Sequence, residues 1–399
     1  MSAFVPPRIA AALRQAHAAG GRPLCAYVYD LAALAERAGT VVRGLPGNVR
    51  LYYAVKANAH PAVLATLASV VHGFDIASAG ELAKVRAVSP TAHLAFGGPG
   101  KTDEEIETAL RAGIELVNAE SVHDLSRIDH AAARAGVRAP VLLRVNPRWR
   151  PVTGSHQMTG APTQFGIDER QIGAAIAHAL RCRHLTIQGL HLHAVSNNPD
   201  ATAHVEFATR CLRFARWVAE RFGVPLPVVD LGGGMGIDYS GGEAHFDWDL
   251  FASGLRATAA AHADTEVILE PGRFLVAPCG YYAAEVLDLK WTHGAAFAVL
   301  RGGSHHFRLP AAMRWSHPFT VVDIDDWPYP FPRPEIRDSE ITVAGELCTT
   351  SDVLARATPV PRVRAGDILV FPLAGAYAWE ISHHDFLSHP HPATILLPH

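Results

Sequence analysis

The 399-residue chain has no apolar run approaching the ~20 residues that a helix needs to cross a bilayer, so nothing in it is expected to span a membrane. It has no basic run and no basic patch interleaved with aromatics. Its net charge is only -3, so nucleic acid is not an expected partner. Cysteines are few and odd in number (Cys25, Cys182, Cys211, Cys279 and Cys348), and no CxxC pair occurs. That pattern argues against a zinc site or a disulfide frame and fits reduced thiols in a cytoplasmic protein. Met1 to Ala19 contains Arg8, Arg14 and two prolines instead of an uninterrupted apolar core, so no signal peptide is expected. Repeats of fixed period and low-complexity tracts are also missing. What the chain does have is 49% hydrophobic residues, enough for a large core, and 23 histidines.

From residue 25 onward the chain acquires a rhythm. Cys25–Tyr29 reads as a strand, and Asp30 can cap the helix Leu31–Leu45. Eight short apolar runs then alternate with helical stretches: Leu51–Val55, Gly73–Ala77, Leu94–Gly97, Glu115–Asn118, Val141–Val145, Thr186–Ala194, Val228–Gly232 and Val267–Glu270. The intervening helices are expected at Pro61–Val70, from Thr102 (a capping box with Glu105) to Leu110, and at Ser121–Ala135, Glu169–Leu180, Ala201–Phe222 and Leu250–Ala261. Eight strand–helix units in about 250 residues predict an α/β (β/α)8 TIM barrel rather than a doubly wound sheet. After Cys279 long helices give way to strand-like segments and dense prolines, which predicts a C-terminal β-rich domain. The expected division is residues 1–30 as an N-terminal arm and strand joining the β domain, 31–278 as the barrel and 279–399 as the β domain.

Nearly every barrel strand ends in a polar or glycine residue: Lys56 and Asn58, Asp75, Gly97-Gly98, Asn118, Arg144 and Asn146, His193, Gly232-Gly233-Gly234, then Glu270 and Arg273. In a barrel these ends converge on the face where active sites sit. Each alone is most often a turn residue or a cap; the set is not. A lysine at the end of a buried strand is costly as an unpaired ammonium, and a neutral amine is suited to Schiff-base chemistry. The glycine loop after Asp230 offers backbone amides to a phosphate without being a Walker loop. Glu270 is suited to a protonated ring nitrogen, and Arg273 to a phosphate or another carboxylate.

These motifs, YYAVKAN, FDIASAGEL, FGGPGK, LHLHAVS, DLGGGMG, EPGR, GELCTTSD and GAY, resemble the fold-type III pyridoxal-phosphate-dependent decarboxylases, which include ornithine and diaminopimelate decarboxylases, in order and over nearly the whole chain. The resemblance implies an alanine-racemase-like barrel with a C-terminal β domain, pyridoxal 5'-phosphate as cofactor, no metal, and a cytoplasmic homodimer with two shared active sites. It implies Lys56 as the Schiff-base lysine and Asp75 and Glu81 as acids supporting the lysine and ring. Arg144 falls near the ring oxygen, His193 stacks on the ring, and Ser196, Gly232, Gly233, Gly234, Arg273 and Tyr377 lie on the phosphate side. Glu270 becomes the ring-nitrogen partner and Cys348 the proton donor contributed by the partner subunit. A glutamate rather than an arginine at the ring nitrogen favours decarboxylation over racemisation.

Two departures bear on the substrate. In diamine-producing relatives the cysteine is followed by an acid that holds a distal ammonium; here Thr349 and Thr350 follow Cys348, with Asp352 beyond. A neutral threonine cannot supply that charge-assisted bond. Val195 also replaces the family's common glycine before Ser196. The segment Arg301-Gly-Gly-Ser-His305-His306-Phe-Arg308 brings arginines and histidines together, which predicts a pocket for a carboxylate-rich substrate tail. This segment and Ser196-Asn-Asn-Pro199 resemble the siderophore (staphyloferrin B) branch of the family, which acts on citryl-L-2,3-diaminopropionate and yields citryl-ethylenediamine and CO2. Arg301, His305, His306, Arg308 and Thr349 are then the expected substrate-binding residues. meso-Diaminopimelate decarboxylation and a non-catalytic relative are the alternatives. His156 is left without a role.

Overall fold

The computed structural model describes residues 5–20, 22–149, 154, 156–240 and 245–398; the side chain of His156 lies outside the described residues. The chain forms two compact units: Met1–Ala33 with Asp238–Glu243 and Val276–His399, and Leu34–Ile237 with Ala244–Leu275.

Strand β1 (Cys25–Asp30) belongs to the first of these units. The second is a barrel of eight parallel strands: β2 (Val49–Ala54), β3 (Gly73–Ile76), β4 (His93–Phe96), β5 (Leu116–Ala119), β6 (Ala139–Asn146), β7 (Leu185–His191), β8 (Val228–Asp230) and β9 (Glu266–Leu269). Their order is β5-β4-β3-β2-β9-β8-β7-β6, and β5 pairs with β6 to close the ring. All eight apolar runs of the sequence become these strands, shifted by a few residues at their ends. Tyr52, Ala95, Leu116, Leu142 and Ile268 fill the interior, as expected for strands covered on both faces. Gly189 on β7 is a steric necessity, because a Cβ there would lie 1.7 Å from the Val228 carbonyl oxygen.

The helices between the strands follow their caps. Thr102 Oγ1 accepts from Glu105 N at 3.2 Å, and Glu105 Oε2 accepts from Thr102 N at 3.0 Å, so the capping box forms and opens Asp103–Arg111. Asp200 caps Ala201–Phe222, which ends at Gly223 with φ 65°. One helix escaped the sequence reading. Ala79–Val88 starts two residues after β3, capped by Ser78 accepting from Glu81 N at 3.2 Å. The strand expected to run to Ala194 stops at His191, because Val195–Ser196 leaves the barrel to pair antiparallel with His156–Gln157.

In the first unit β1 runs antiparallel to β10 (Gly280–Thr292), with Cys25 opposite Ala284, and parallel to β16 (Ala393–Leu397). Between them in the chain lie β11 (Ala295–Leu300), β12 (Thr320–Val322), β13 (Glu335–Ala344), β14 (Val353–Arg364) and β15 (Ile368–Phe371). The sheet order is β12-β15-β10-β11-β13-β14. Strands β12 and β14 were not anticipated. β14 contains Pro359 and Pro361 and lies on the sheet edge, the position where proline does not break the ladder. The N-terminal helix Pro7–Ala18 buries Ile9 and Leu13 against Leu24, Val28, Tyr281, Ile368 and Val370. Among the described residues, no helix is long and apolar enough to cross a membrane.

Candidate active site at the C-terminal end of the barrel

Lys56 sits in a single 3-10 turn, Val55–Ala57, that follows β2 directly. Its Nζ is 3.0 Å from Asp75 Oδ2, and its side chain is 46% exposed. The burial expected from the sequence is therefore absent. The chain leaves the sheet at Ala54, and the turn carries the amine into the open barrel end. Asp75, buried at the end of β3, has its carboxyl pushed up to about 7 by burial first and by the charge of Glu270 second, with Lys56 pulling it back. Glu81 accepts from Ala77 N at 2.7 Å in the first turn of its helix, where burial raises its carboxyl and Lys56 lowers it.

Arg144, buried near the end of β6, bonds Glu120 Oε1 at 2.5 Å, and Glu120 Oε2 accepts from Gly166 N at 2.7 Å. The guanidinium also lies 4.5 Å from the centre of the Phe165 ring. His193 follows β7. Its Nδ1 accepts from Gly233 N at 3.1 Å, which leaves the ring proton on Nε2. Burial, then Lys56 and Arg144, hold this imidazole well below its ordinary range, so it is neutral. Gly232 has φ +66°, and a Cβ there would fall 2.2 Å from His193 Nδ1, so the loop closes on the histidine only as glycine. Gly233 is fixed from behind by His204, whose Nε2 lies 3.2 Å from the Gly233 carbonyl oxygen and whose Nδ1 lies 3.1 Å from Asn198 Nδ2. Arg273 donates to Ser196 Oγ at 3.0 Å, so the serine whose preceding glycine is replaced still faces the arginine.

Three groups that the sequence reading did not assign complete this end. Asp230 closes β8 with Oδ1 accepting from Gly232 N at 2.8 Å. His191 closes β7 with Nε2 3.6 Å from Glu270 Oε2. Asn118 is fully buried, and its backbone carbonyl oxygen accepts from Lys101 Nζ at 2.9 Å. Several buried polar atoms here lack a hydrogen-bond partner among the described residues: both side-chain amide atoms of Asn118, Arg144 Nε, both ring nitrogens of His191, Asp230 Oδ2 and Glu270 Oε1. Burial pushes the Glu270 carboxyl up, but His191 and Lys56 outweigh it and hold the group below the carboxylate range. One ligand-type atom each from His191, His193 and Glu270 lies within 4.8 Å of the others. The unpartnered atoms at this end, donors and acceptors together, suit a polar ligand.

The remaining expected residues lie in the other unit. Cys348 and Thr349 are exposed, and Thr349 Oγ1 is 2.9 Å from Ser351 Oγ. Asp352 ties this loop down: its carboxylate accepts from Ser304 N at 2.6 Å and from Leu347 N at 2.9 Å. Tyr377 is half-buried with φ 50°. The expected cluster of free cations is altered. Arg301 is paired with Glu346 and also donates to Pro390 O at 3.0 Å. His305 and His306 are both 0% exposed, and His305 Nε2 lies 3.4 Å from Glu346 Oε1. Burial, then His305 and Arg301, pushes His306 down to about 2. Glu346, 45 residues from Arg301 in sequence, pairs with it and faces His305, while His389 lies against the His305 ring and Trp379 against the His306 ring. Of the expected tail-binding set, Arg308 and Thr349 have exposed side chains.

The model of the pyridoxal binding domain of pyridoxal-dependent decarboxylases matches residues 31–277. The chain is 41% identical over 381 residues to 2-[(L-alanin-3-ylcarbamoyl)methyl]-2-hydroxybutanedioate decarboxylase of Staphylococcus aureus, covering 95% of each chain. It is 33% identical over 362 residues to diaminopimelate decarboxylase of Neisseria meningitidis, covering 90% of this chain and 83% of that one. Its structure is similar to that of diaminopimelate decarboxylase from Helicobacter pylori complexed with L-lysine, with a TM-score of 0.85 at 26% identity over 96% of this chain and 94% of that one.

Proposed function

We propose, since the chain belongs to the pyridoxal-dependent decarboxylases, that it removes the α-carboxyl group of citryl-L-2,3-diaminopropionate in siderophore (staphyloferrin B) assembly, giving citryl-ethylenediamine and CO2. The observation that supports the chemistry is Glu270: a buried carboxylate with one unpartnered oxygen, in the same barrel end as Lys56. The orphaned atoms of Glu270, Asn118 and Arg144, the neutral His193 and the backbone amides of the glycine loop fit pyridoxal 5'-phosphate. When bound, this cofactor supplies a carbonyl that condenses with amines and a ring that accepts the electron pair left by CO2.

Lys56 would hold the cofactor through its amine, with Asp75 as the acceptor for the protons of that amine and Asp75 and Glu81 supporting it. Glu270 would hold the ring nitrogen and a proton on it; a hydrogen bond to a charged group is worth about 1.5–3 kcal/mol. His193 and Arg144 would hold the ring, and Ser196, Gly232, Gly233, Gly234, Arg273 and Tyr377 the phosphate. Cys348, exposed on its loop, is the acid that returns a proton to the substrate carbon. The exposed Arg308 and Thr349 meet the carboxylate-rich tail, and Arg301, His305 and His306 act behind them by shaping the segment. The protein works as a homodimer with two shared sites.

The test is CO2 release by the cofactor-loaded protein from citryl-2,3-diaminopropionate, meso-diaminopimelate, lysine, ornithine and 2,3-diaminopropionate. Turnover confined to the citryl compound is expected. Turnover of diaminopimelate would overturn the substrate assignment. Mixing inactive K56A and C348A proteins tests the shared sites: complementation to at most about a quarter of wild-type activity is expected from one good site in half of the dimers. No recovery would place each site within one chain.

A further inference from the structure

Asp230 and Glu270 end adjacent strands. Asp230 lies opposite Ile268 in the β8–β9 ladder, and Glu270 N donates to Gly232 O at 2.8 Å, which brings the two carboxyl groups together in the barrel end. Asp230 is 0% exposed and Glu270 only 4%. The Gly232 amide fixes Asp230 Oδ1, so the orphaned Oδ2 is the oxygen left for a proton. Two carboxylates side by side away from water cannot both ionise. The surroundings decide which one does. His191 from β7 and Lys56 from the turn after β2 act on Glu270, whereas Asp230 faces Glu270 and the acid Asp75. Arg144 from β6 is held by Glu120, and His193 is neutral.

We propose that Asp230 is a positioning residue: a carboxylic acid, not a carboxylate, whose proton is donated to Glu270 and so keeps the negative charge of the pair on Glu270. Burial and the charge of Glu270 both push the Asp230 carboxyl well up, in accord with this geometry. The donated proton orients the Glu270 carboxylate and leaves its other oxygen to the cofactor. That consequence rests on the role of Glu270 given above; the protonation does not.

Thermal unfolding of the full chain, with and without pyridoxal phosphate, separates the two. A carboxyl whose folded pKa is raised loses stability as pH rises from about 4, where the unfolded group ionises, toward the folded value. Asp230→Asn keeps a donor and never ionises. The variant is expected to melt at or above the wild type, with a gap that widens from pH 5 to pH 8. A gap that is constant or narrows overturns the proposal. If D230N does not fold, infrared spectra of wild-type protein labelled with 13C-aspartate decide it. A protonated-carboxyl band must persist at pH 9, where Asp75 (pushed up to about 7) is ionised, and its absence overturns the proposal. The positioning role is read in cofactor affinity. D230N is expected within about threefold of wild type, and Asp230→Ala weaker by roughly tenfold or more, the loss of one hydrogen bond to a charged group. Equal weakening in both variants overturns it. Failure of the substrate panel leaves these outcomes intact, and a flat melting gap leaves the substrate reading intact.

Discussion

At the N-terminal end of the barrel strands the polar groups pair with each other, and at the C-terminal end several are left waiting. Arg50 bridges Glu115 and Glu266, each at 3.1 Å, His93 lies 3.0 Å from Glu115, and the Tyr52 hydroxyl donates to Glu115. Eight strands supply both ends, so the difference is not one of scaffold. One end is an ion-pair network that closes the barrel. The other pairs Lys56 with Asp75 and Arg144 with Glu120 but keeps Asn118, His191 and Glu270 with atoms that have no partner among the described residues, at a cost in stability. Such a cost is expected where polar groups are held ready for a ligand rather than for each other.

The largest break in this comparison is Lys56→Ala. It removes the amine paired with Asp75, and decarboxylation is expected to fall by roughly three orders of magnitude or more. Because the lysine side chain is 46% exposed, the melting temperature of the cofactor-free protein should barely move. CO2 release and thermal unfolding measured together check both. A large loss of stability with little loss of rate would mean that Lys56 belongs with the structural end.

Glu270→Gln comes next. It keeps the shape and removes the charge, so kcat should fall by about 10- to 150-fold, the equivalent of 1.5–3 kcal/mol. Without Glu270's charge to repel it, Asp230 is expected to ionise at a lower pH, which the infrared band reports. Unchanged kcat would remove Glu270 from the reaction.

Much of this was legible before the structure. The apolar runs that became β2 to β9 are bounded by turn and cap residues, and the Thr102 capping box is written within four residues. The Ala79–Val88 helix was not legible, because its buried face is only Leu82 and Val85 and its cap, Ser78, sits inside what reads as the end of a strand motif. Lys56, Glu270 and His193 were visible as strand-end polar residues. Asp230 and His191 were equally visible as letters, but their roles depend on which carboxyl carries the proton, a property of neighbours on different strands. The burial of His305 and His306 likewise involves His389 and Trp379, and the charge of Arg301 is met by Glu346, all distant in sequence, so a local cluster of Arg and His looked like an open cationic pocket.

Tyr52→Phe tests the other end of the barrel. Tyr52 is fully buried, its hydroxyl donates to Glu115, and it accepts from Arg50 at 3.3 Å. Losing a bond to a charged group should destabilise the protein by about 1.5–3 kcal/mol in chemical denaturation. Meanwhile kcat/KM should stay within about twofold, since catalysis in a barrel is confined to the opposite face. A tenfold loss of kcat/KM would mean that the two ends are coupled.

The smallest expected effect lies behind the glycine loop. His204 belongs to the C-terminal end, yet it is satisfied by Gly233 and Asn198, so it should behave as a structural group. Burial outweighs the Gly233 bond and pushes His204 down to about 4. Its unfolded counterpart takes up a proton near pH 6.5, so the stability it contributes above that pH is lost as pH falls toward 4. Between pH 7.5 and pH 5.5 the loss from this residue is about 1.4 kcal/mol. His204→Gln keeps an amide between the two partners and cannot titrate. Denaturation at the two pH values should therefore show a pH-dependent loss smaller in the variant by about that amount, with cofactor affinity at pH 7.5 nearly unchanged. An equal pH dependence in both proteins would mean that His204 takes up its proton in the folded protein as freely as in the unfolded chain, and the line between waiting and satisfied groups would then run through the loop itself rather than behind it.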